Sequence, residues 1–315
     1  MNSHFDPNAY NPKFSFKFLY PKHWLTWLSL VLCNIISWLP HSIQLKFAQF
    51  ISKRLVKLKN KVNKRARANL KLCFTQKSSE EIESILFEQY VTAVCFFLTI
   101  SSISLKGKNW LHRHVKVHNQ KYLDLALSSK KNIILLVPHT WAIDIPAIYL
   151  ASLGFPVSAM AKKQRNPVFE YLMHKQRVQF GGRVYLRSCG IKPFIKSIKK
   201  DNYIGYYLPD EDLGPESSVF VDFFDTTKAT LTGLGRLARI TDSIVVPLLV
   251  GYNTSKNVFE INFSPTFDHF PSSDISDARK MNVCIEEYIK DHPEQYMWIL
   301  RFLKTRPEGE PDPYL

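Results

Sequence analysis

The sequence predicts an α/β fold in which a mixed sheet is flanked by helices and preceded by an N-terminal membrane-anchoring helical segment. Three observations lead to this prediction. From Lys131 onward, short β-branched and aromatic runs alternate with helical patterns, as strands connected through helices do. A segment without charged residues separates Lys22 from Lys46. A dense block of basic residues then extends to Lys77.

The basic charge of the chain is concentrated in its first quarter. The 315 residues include 42 basic and 27 acidic side chains, for a formal charge of +15. Fourteen basic and no acidic residues lie from Pro7 to Ser79, whereas 28 basic and 26 acidic residues follow. Nucleic-acid binding would interleave aromatic residues with these bases, but here most aromatics precede them. We therefore expect this region to face anionic membrane lipids and not nucleic acid.

The uncharged segment predicts a single membrane anchor at about residues 23–40. Its apolar core, from Trp24 to Leu39, is shorter than the ~20 residues that a full span needs, so spanning the bilayer and lying in the interface both remain open. No small-residue cleavage site follows it, which argues against a signal peptide. Three basic residues precede the segment and eleven follow it, and this bias predicts that the body of the protein is cytoplasmic.

The chain divides into three predicted regions. Residues 1–45 are a tail with the anchor, residues 46–110 are basic and amphipathic helices at the membrane surface, and residues 111–315 are a catalytic domain. One basic amphipathic helix is predicted from Ser42 to about Leu72, and the serines and glutamates at 78–81 indicate the start of another.

The third region is predicted to contain the sheet. Its strand-like runs include NIILLVP, FPVSAMA, GRVYLR, YIGYYLP and SIVVPLLVG, and its last two segments, SDARKMNVCIEEYIKDH and PEQYMWILRFLK, are predicted as helices. The chain has five cysteines and no CxxC pair, so we expect neither a disulfide framework nor a zinc site.

The stretch PHTWAIDIP contains the first candidates for chemistry, His139 and Asp144. On one continuous helix, their side chains would point about 140° apart. The two meet only if a strand ends at Pro138 and a helix begins between them. Asp144 would then hydrogen-bond the imidazole and raise its basicity. A turn histidine followed by a helix-capping aspartate is the alternative, and these two residues alone favour it.

Two further candidates follow downstream. The stretch RNPVFEYLMHKQR predicts a helix with Asn166 as its N-cap, Pro167 at its first position and Arg177 at its end. Arg177 is either a cation favoured at a helix C-terminus or a phosphate ligand. Asp210 begins a run of three acidic residues after a predicted strand, where active-site loops of α/β sheets lie. A solvated loop is the favoured interpretation of this run over a metal site, and GxSxG and Walker A motifs are missing.

Longer blocks carry a family resemblance. The HxxxxD box in PHTWAIDIPAIYLAS, with FGGRVYLRSCGIKPFI, GYYLPDEDLGPESSVFVDFF and KATLTGLGRLAR, closely resembles the late acyltransferases of lipid A biosynthesis. These belong to the glycerolipid-type HxxxxD acyltransferase superfamily, so the resemblance implies a glycerolipid-acyltransferase-like fold. It covers the chain from roughly the anchor to the C-terminus. Asp144, where the lauroyl-transferring branch carries Glu, makes the chain most similar to the last-acting, myristoyl-transferring branch.

The resemblance implies an activity and a site. A myristoyl chain would pass from acyl carrier protein to a hydroxyacyl arm of Kdo2-(lauroyl)-lipid IVA, without a covalent acyl-enzyme and without a metal or cofactor. His139 would be the general base and Asp144 its orienting partner, and Arg177 and Asp210 match functional positions of the second and third blocks. The enzyme would act at the cytoplasmic side of the bacterial inner membrane.

Three alternatives remain open at this point. The enzyme would be a lauroyl-type lipid A acyltransferase, or a lysophospholipid or glycerolipid acyltransferase. The latter branch usually has a glycine-rich third block with a glutamate and an arginine, which LPDEDLGPESS does not reproduce. A non-enzymatic protein that binds a membrane surface or nucleic acid through its basic region is the third alternative.

Overall fold

A seven-stranded mixed sheet forms the centre of the protein, described for residues 6–315 in a computed structural model. The strands are β1 (Val115–His118), β2 (Asn132–Leu136), β3 (Val157–Ala161), β4 (Arg183–Leu186), β5 (Ile204–Tyr207), β6 (Ser218–Phe223), β7 (Thr226–Leu231), β8 (Ser243–Asn253) and β9 (Val258–Phe263). The sheet order is β1-β9-β8-β2-β5-β3-β4, while β6 and β7 form a separate antiparallel hairpin. Neighbours within the large sheet run parallel except β8 and β9. The predicted mixed sheet is confirmed.

Helices cover both faces of the sheet. They are α1 (Trp24–Ser37), α2 (His41–Leu55), α3 (Lys61–Cys73), α4 (Ser79–His114), α5 (Lys121–Ser128), α6 (Ile145–Ser152), α7 (Pro167–Arg177), α8 (Lys192–Lys199), α9 (Gly233–Thr241) and α10 (Asp274–Asp291). The central strand β2 shows why two layers are needed. Its Ile133 and Leu135 pack in one hydrophobic core, and Ile134 and Leu136 pack in the other. An uninterrupted apolar run is typical of such a doubly covered strand.

The segment predicted as the anchor forms the short helix α1. Its 14 residues rise about 21 Å, less than the ~30 Å thickness of a bilayer's hydrocarbon core. α1 packs against α4, and α4 is the described helix that is long and apolar enough to cross a membrane. Half of the apolar window of α4 is buried inside the protein, as in a core helix. A spanning N-terminal anchor is therefore only weakly supported. The first five residues of the predicted tail lie outside the described range.

The structure corrects one helix prediction in the basic region and confirms the start of the helix that follows it. The basic helix predicted from Ser42 to about Leu72 is two helices, because Asn60 begins α3 by accepting a hydrogen bond from the Asn63 backbone N–H at 2.8 Å. The predicted start of α4 is confirmed, with Ser78 and Glu81 forming a reciprocal capping box.

The last predicted helix, at residues 293–304, is wrong. Only a single 3-10 turn, Pro293–Gln295, forms at its start. Tyr296, Trp298 and Phe302 are buried in an aromatic cluster with Phe223 of the hairpin. Tertiary packing of these rings outweighs the helical pattern, and the backbone of this C-terminal segment bonds to the turn after β2 instead.

Candidate active site

His139 and Asp210 are brought together by two neighbouring parallel strands. In the pairing of β2 with β5, Leu136 lies opposite Tyr207. His139 and Asp210 each follow three residues later, so the two side chains leave the sheet at the same edge. His139 Nδ1 lies 2.5 Å from Asp210 Oδ1, and the His139 backbone N–H donates to Asp210 Oδ2 at 2.8 Å. The carboxylate therefore holds the proton on Nδ1 and leaves Nε2 of the neutral ring as the acceptor.

His139 and Asp210 shift each other's pKa. Burial opposes the charged imidazolium of His139, but the Asp210 carboxylate outweighs it and raises the pKa of His139 above its ordinary value. The side chain of Asp210 is fully buried, which alone would raise its pKa. The charge of protonated His139 and the two hydrogen bonds prevail and lower the pKa of Asp210 below its ordinary value.

Asp144 contacts Arg177 and not His139. Arg177 is the last residue of α7, and its Nε and Nη2 donate to the two carboxylate oxygens of Asp144, each at 3.0 Å. Asp144 occupies the N-cap position of α6, yet its side chain makes no capping hydrogen bond. Burial opposes the guanidinium charge, but Asp144 raises the pKa of Arg177 above its ordinary value. Both carboxylate oxygens thus serve to hold the guanidinium.

The pairing predicted from the sequence is therefore wrong. β2 ends before Pro138 and Asn166 caps α7, as expected. α6 begins at Ile145, one residue after Asp144, and not between His139 and Asp144 as the pairing required. The physical reason is local. Successive turns, in which Ile143 N–H donates to Thr140 O and Ile145 N–H donates to Ala142 O, carry Asp144 toward α7. Asp210, which the sequence predicted as the start of an acidic loop after a strand, reaches His139 from the adjacent strand.

The C-terminal segment fixes the turn that carries His139. Met297 N–H donates to the His139 carbonyl at 2.9 Å, and Trp141 N–H donates to the Gln295 carbonyl at 3.3 Å. Tyr206 supports the same turn, because its hydroxyl donates to the Ile143 carbonyl at 2.6 Å. The imidazole is thus held by its backbone as well as by its ring.

An apolar cavity of about 1020 Å³ opens beside these residues. His139, Asp144 and Arg177 all line it. Most of its remaining lining is hydrophobic and comes mainly from α1, α4 and α7, for example Leu30, Val31, Phe97, Ile100, Leu172 and Met173. The cavity therefore combines a polar end with a long apolar wall, as a site for a hydrocarbon chain requires.

Two further charged groups lie at the polar end: Arg187, which sequence reasoning missed, and Glu211, a member of the predicted acidic run that was given no role. Arg187 and Glu211 form an ion pair, and Glu211 Oε1 lies 4.0 Å from His139 Nε2. Both residues line the cavity. Arg187 directly follows β4, so the strand-end argument used for Asp210 would have identified it.

The fold and site define a class of protein. An imidazole whose Nδ1 is held by a buried carboxylate, and whose Nε2 makes no hydrogen bond with the residues described, can take a proton from a hydroxyl group. Placed beside an apolar cavity, it suits an enzyme that transfers a group between hydrophobic substrates.

Comparison with known proteins identifies the family. Residues 11–305 match the model of the bacterial lipid A biosynthesis acyltransferase family. The chain is 39% identical over 305 residues to lipid A biosynthesis acyltransferase 2 of Shigella flexneri, covering 96% of this chain and 97% of the relative. It is 39% identical over 312 residues to the lipid A biosynthesis myristoyltransferase of Escherichia coli (strain K12), with 98% and 95% covered. It is 28% identical over 305 residues to the lipid A biosynthesis lauroyltransferase of the same strain, with 96% and 99% covered.

The chain therefore belongs to the bacterial lipid A biosynthesis acyltransferase family. It is a lipid A acyltransferase that takes an acyl donor and a lipid A precursor as acceptor. The resemblance predicted from its motifs is confirmed.

The pairing of His139 with Asp210 predicts a specific pH dependence. A general base must be neutral to accept a proton, so we expect kcat/KM to fall on the low-pH side of its profile as His139 becomes protonated. Asp210→Asn removes the charge that raises the pKa of His139, so the fall moves to lower pH. The maximal rate also drops, by about two orders of magnitude, because the tautomer is no longer fixed. The pH profile of kcat/KM measures both effects.

Asp144→Asn is the matched control, since it makes the same chemical change at a residue that contacts Arg177. Its profile should fall at the same pH as that of the unmodified enzyme. An unmoved profile in Asp210→Asn, or an equal movement in both variants, would contradict the pairing.

Proposed function

We propose that the protein transfers a myristoyl chain from acyl carrier protein to a hydroxyacyl arm of Kdo2-(lauroyl)-lipid IVA. The observation that carries the proposal is the position of His139 at the polar end of the apolar cavity. Identity to the E. coli myristoyltransferase, 39% against 28% for the lauroyltransferase, favours the myristoyl chain. The resemblance in the Asp144 box, with Asp in place of Glu, favours it as well.

His139 is the general base in this proposal. Its Nε2 accepts the proton of the acceptor hydroxyl while that oxygen attacks the thioester carbonyl carbon. A C–O bond forms, the carbonyl electrons move onto oxygen, and the C–S bond then breaks. The imidazolium returns its proton to the departing thiolate, so the products are an ester and a free thiol, without a covalent acyl-enzyme. Asp210 stabilises the imidazolium that exists between these steps.

Arg177 holds an anionic group of a substrate in this proposal. Its guanidinium is fixed by two parallel hydrogen bonds, a geometry that leaves little freedom to lose on binding. A phosphate of the glycolipid and a phosphate of the donor's phosphopantetheine arm have the same chemistry. Asp144 then positions Arg177, so both residues of the HxxxxD box contribute, each through a different partner.

The cavity holds the fatty acyl chain. Its wall from α1, α4 and α7 is mainly apolar, and burial of a hydrocarbon chain there stabilises the complex by roughly 0.8 kcal/mol per methylene group. Exclusion of water from this wall also limits hydrolysis of the thioester before the acceptor arrives.

Transfer by the purified enzyme tests this function. Acyl carrier proteins loaded with lauroyl, myristoyl or palmitoyl chains are offered with the lauroylated precursor, and the products are weighed by mass spectrometry. We expect myristoyl transfer to dominate and His139→Ala to reduce it to background. Preferred transfer of a lauroyl chain would support the lauroyl-type alternative instead.

Deletion of the gene is the corresponding test in the cell. Lipid A should lose the mass of one myristoyl chain, and a plasmid copy carrying His139→Ala should fail to restore it. An unchanged lipid A spectrum would contradict the proposed function.

We also propose that α1 attaches the enzyme to the cytoplasmic leaflet of the inner membrane by lying in the interface. One face of α1 is exposed and apolar, with Leu25 75% and Leu28 54% exposed. The opposite face lines the cavity through Trp27 and Leu30. Because one face of α1 lines the cavity, the helix stays packed on the catalytic domain. Its exposed apolar face then favours a position parallel to the membrane plane, in the interface.

The neighbouring helices support the same arrangement. α2 exposes Phe47 and Phe50, and the surrounding lysines and arginines favour anionic lipid head groups. Of the predicted regions, residues 6–45 and 46–110 then form the membrane-facing layer over a catalytic domain at residues 111–315.

The double substitution Leu25→Ser/Leu28→Ser tests the interfacial position. Loss of two inserted leucines should weaken binding to anionic vesicles about tenfold or more, because less apolar surface leaves water. Vesicle flotation measures the bound fraction. Leu30→Ser is the matched control, since it faces the cavity: it should keep vesicle binding and lose transfer. Unchanged flotation of the double variant would contradict the proposed position.

A further inference from the structure

Lys228 is a buried lysine that the site described so far does not use. It lies on β7, opposite Val221 of β6, in the KATLTG block of the sequence, and none of its surface is exposed. Its Nζ makes no hydrogen bond with any residue of the described range. The nearest aromatic group is the Phe223 ring, whose centroid lies 5.4 Å from Nζ. A buried ammonium is costly unless opposite charges lie near it.

The opposite charges near Lys228 are carboxylates of the loop after β5. Burial lowers the pKa of Lys228, while Asp210 and Asp212 act against that decrease. In return, Lys228 contributes to lowering the pKa of Asp210. Asp212 also accepts hydrogen bonds from the Thr305 backbone N–H and hydroxyl. Asp210 accepts from the backbone and the ring of His139, and the buried Tyr296 hydroxyl interacts with it as well.

The other titratable groups around Lys228 are neutral or already paired. Burial raises the pKa values of Cys73 and Tyr296, so the thiol and the hydroxyl stay protonated. Two arginines packed against the hairpin are paired with carboxylates, Arg279 with Glu286 and Arg306 with Glu310, and Arg187 near His139 is paired with Glu211. Lys228 is thus a buried positive charge without such an ion pair among the residues described, and it acts on Asp210.

Compensation of the Asp210 charge affects whether His139 can act as a general base. When His139 is protonated, the imidazolium neutralises the Asp210 carboxylate. When His139 is neutral and ready to accept a proton, the carboxylate is left in a fully buried position. Without a second cation, that state would be less favourable, and a larger fraction of His139 would be protonated at a given pH.

We propose that Lys228 is a positioning residue of the reaction, whose buried ammonium balances Asp210 and so keeps His139 neutral and available as the base. The proposal rests on the proposed general-base function of His139. Lys228 does not line the cavity, so it acts through Asp210 and not on the substrates.

Lys228→Met tests the proposal, because it keeps the apolar stem and removes the charge. The low-pH fall of kcat/KM should move upward by about one pH unit, since a nearby charge typically shifts the pKa of a titrating group by roughly one unit or more. Activity at neutral pH should fall roughly tenfold, and it should approach that of the unmodified enzyme at alkaline pH. Lys228→Gln provides a second neutral side chain and should move the low-pH fall of kcat/KM upward by the same amount.

Two controls separate this role from a structural one. Asn282 of α10 is fully buried and bonds to the same hairpin through the Asp222 carbonyl and the Thr230 hydroxyl. Asn282→Ala should lower stability without moving the pH profile. In an Asp210→Asn background, Lys228→Met should cause no further loss, because the charge it balances is gone.

NMR titration of the His139 imidazole in histidine-labelled protein reads the same effect without substrate. The pKa of His139 should be higher in Lys228→Met than in the unmodified protein. An unchanged pKa, or a loss of activity equal at every pH, would overturn the proposal. If the unmodified enzyme transferred no acyl chain, the proposed function would fail, yet the NMR titration would still decide whether Lys228 controls His139.

Discussion

The hydrogen bond between His139 and Asp210 is the interaction on which the rest of the site depends. It exists because β2 and β5 are parallel neighbours in register, so that residues three positions beyond a matched pair leave the sheet together. Asp210 is fully buried, so removal of the imidazole would cost stability by taking a hydrogen bond away from a buried carboxylate. The C-terminal segment adds backbone bonds on either side of His139. The imidazole is therefore oriented before any substrate binds, which is the main requirement for a general base.

A second ion pair, between Asp144 and Arg177, lies beside the pair of His139 and Asp210. The two residues of the HxxxxD box therefore contact different partners, His139 a residue after the neighbouring strand and Asp144 a residue of α7. The cavity that both residues line is closed largely by α1 and α4. The same α1 exposes leucines on its other face, so that one short helix connects the acyl-chain site with the outer surface of the protein. Catalysis and membrane attachment are coupled through this geometry in the proposed function.

Much of this arrangement could be predicted from local sequence signals. Strand alternation, the cap at Asn166, the break at Pro138 and the family blocks each depend on a few adjacent residues, and each matched the structure. The partner of His139 could not be predicted, because strand order within a sheet is a long-range property that one sequence does not display. The helix prediction for the final segment failed for a similar reason. The contacts of Tyr296 with Phe223 and of Trp298 with Phe224 join distant parts of the chain, and a local pattern does not show them. The burial of Lys228 could not be predicted either, since an isolated lysine in a strand normally indicates a solvated side chain.

The most direct measurement of the central claim is the proton NMR resonance of the imidazole Nδ1–H of His139. A proton shared with a buried carboxylate is protected from exchange and shifts to low field. We predict that this resonance is present in the unmodified protein, persists in Asp144→Asn and disappears in Asp210→Asn. Its loss in Asp144→Asn with retention in Asp210→Asn would show that the aspartate within the HxxxxD box orients the base, and would contradict this account.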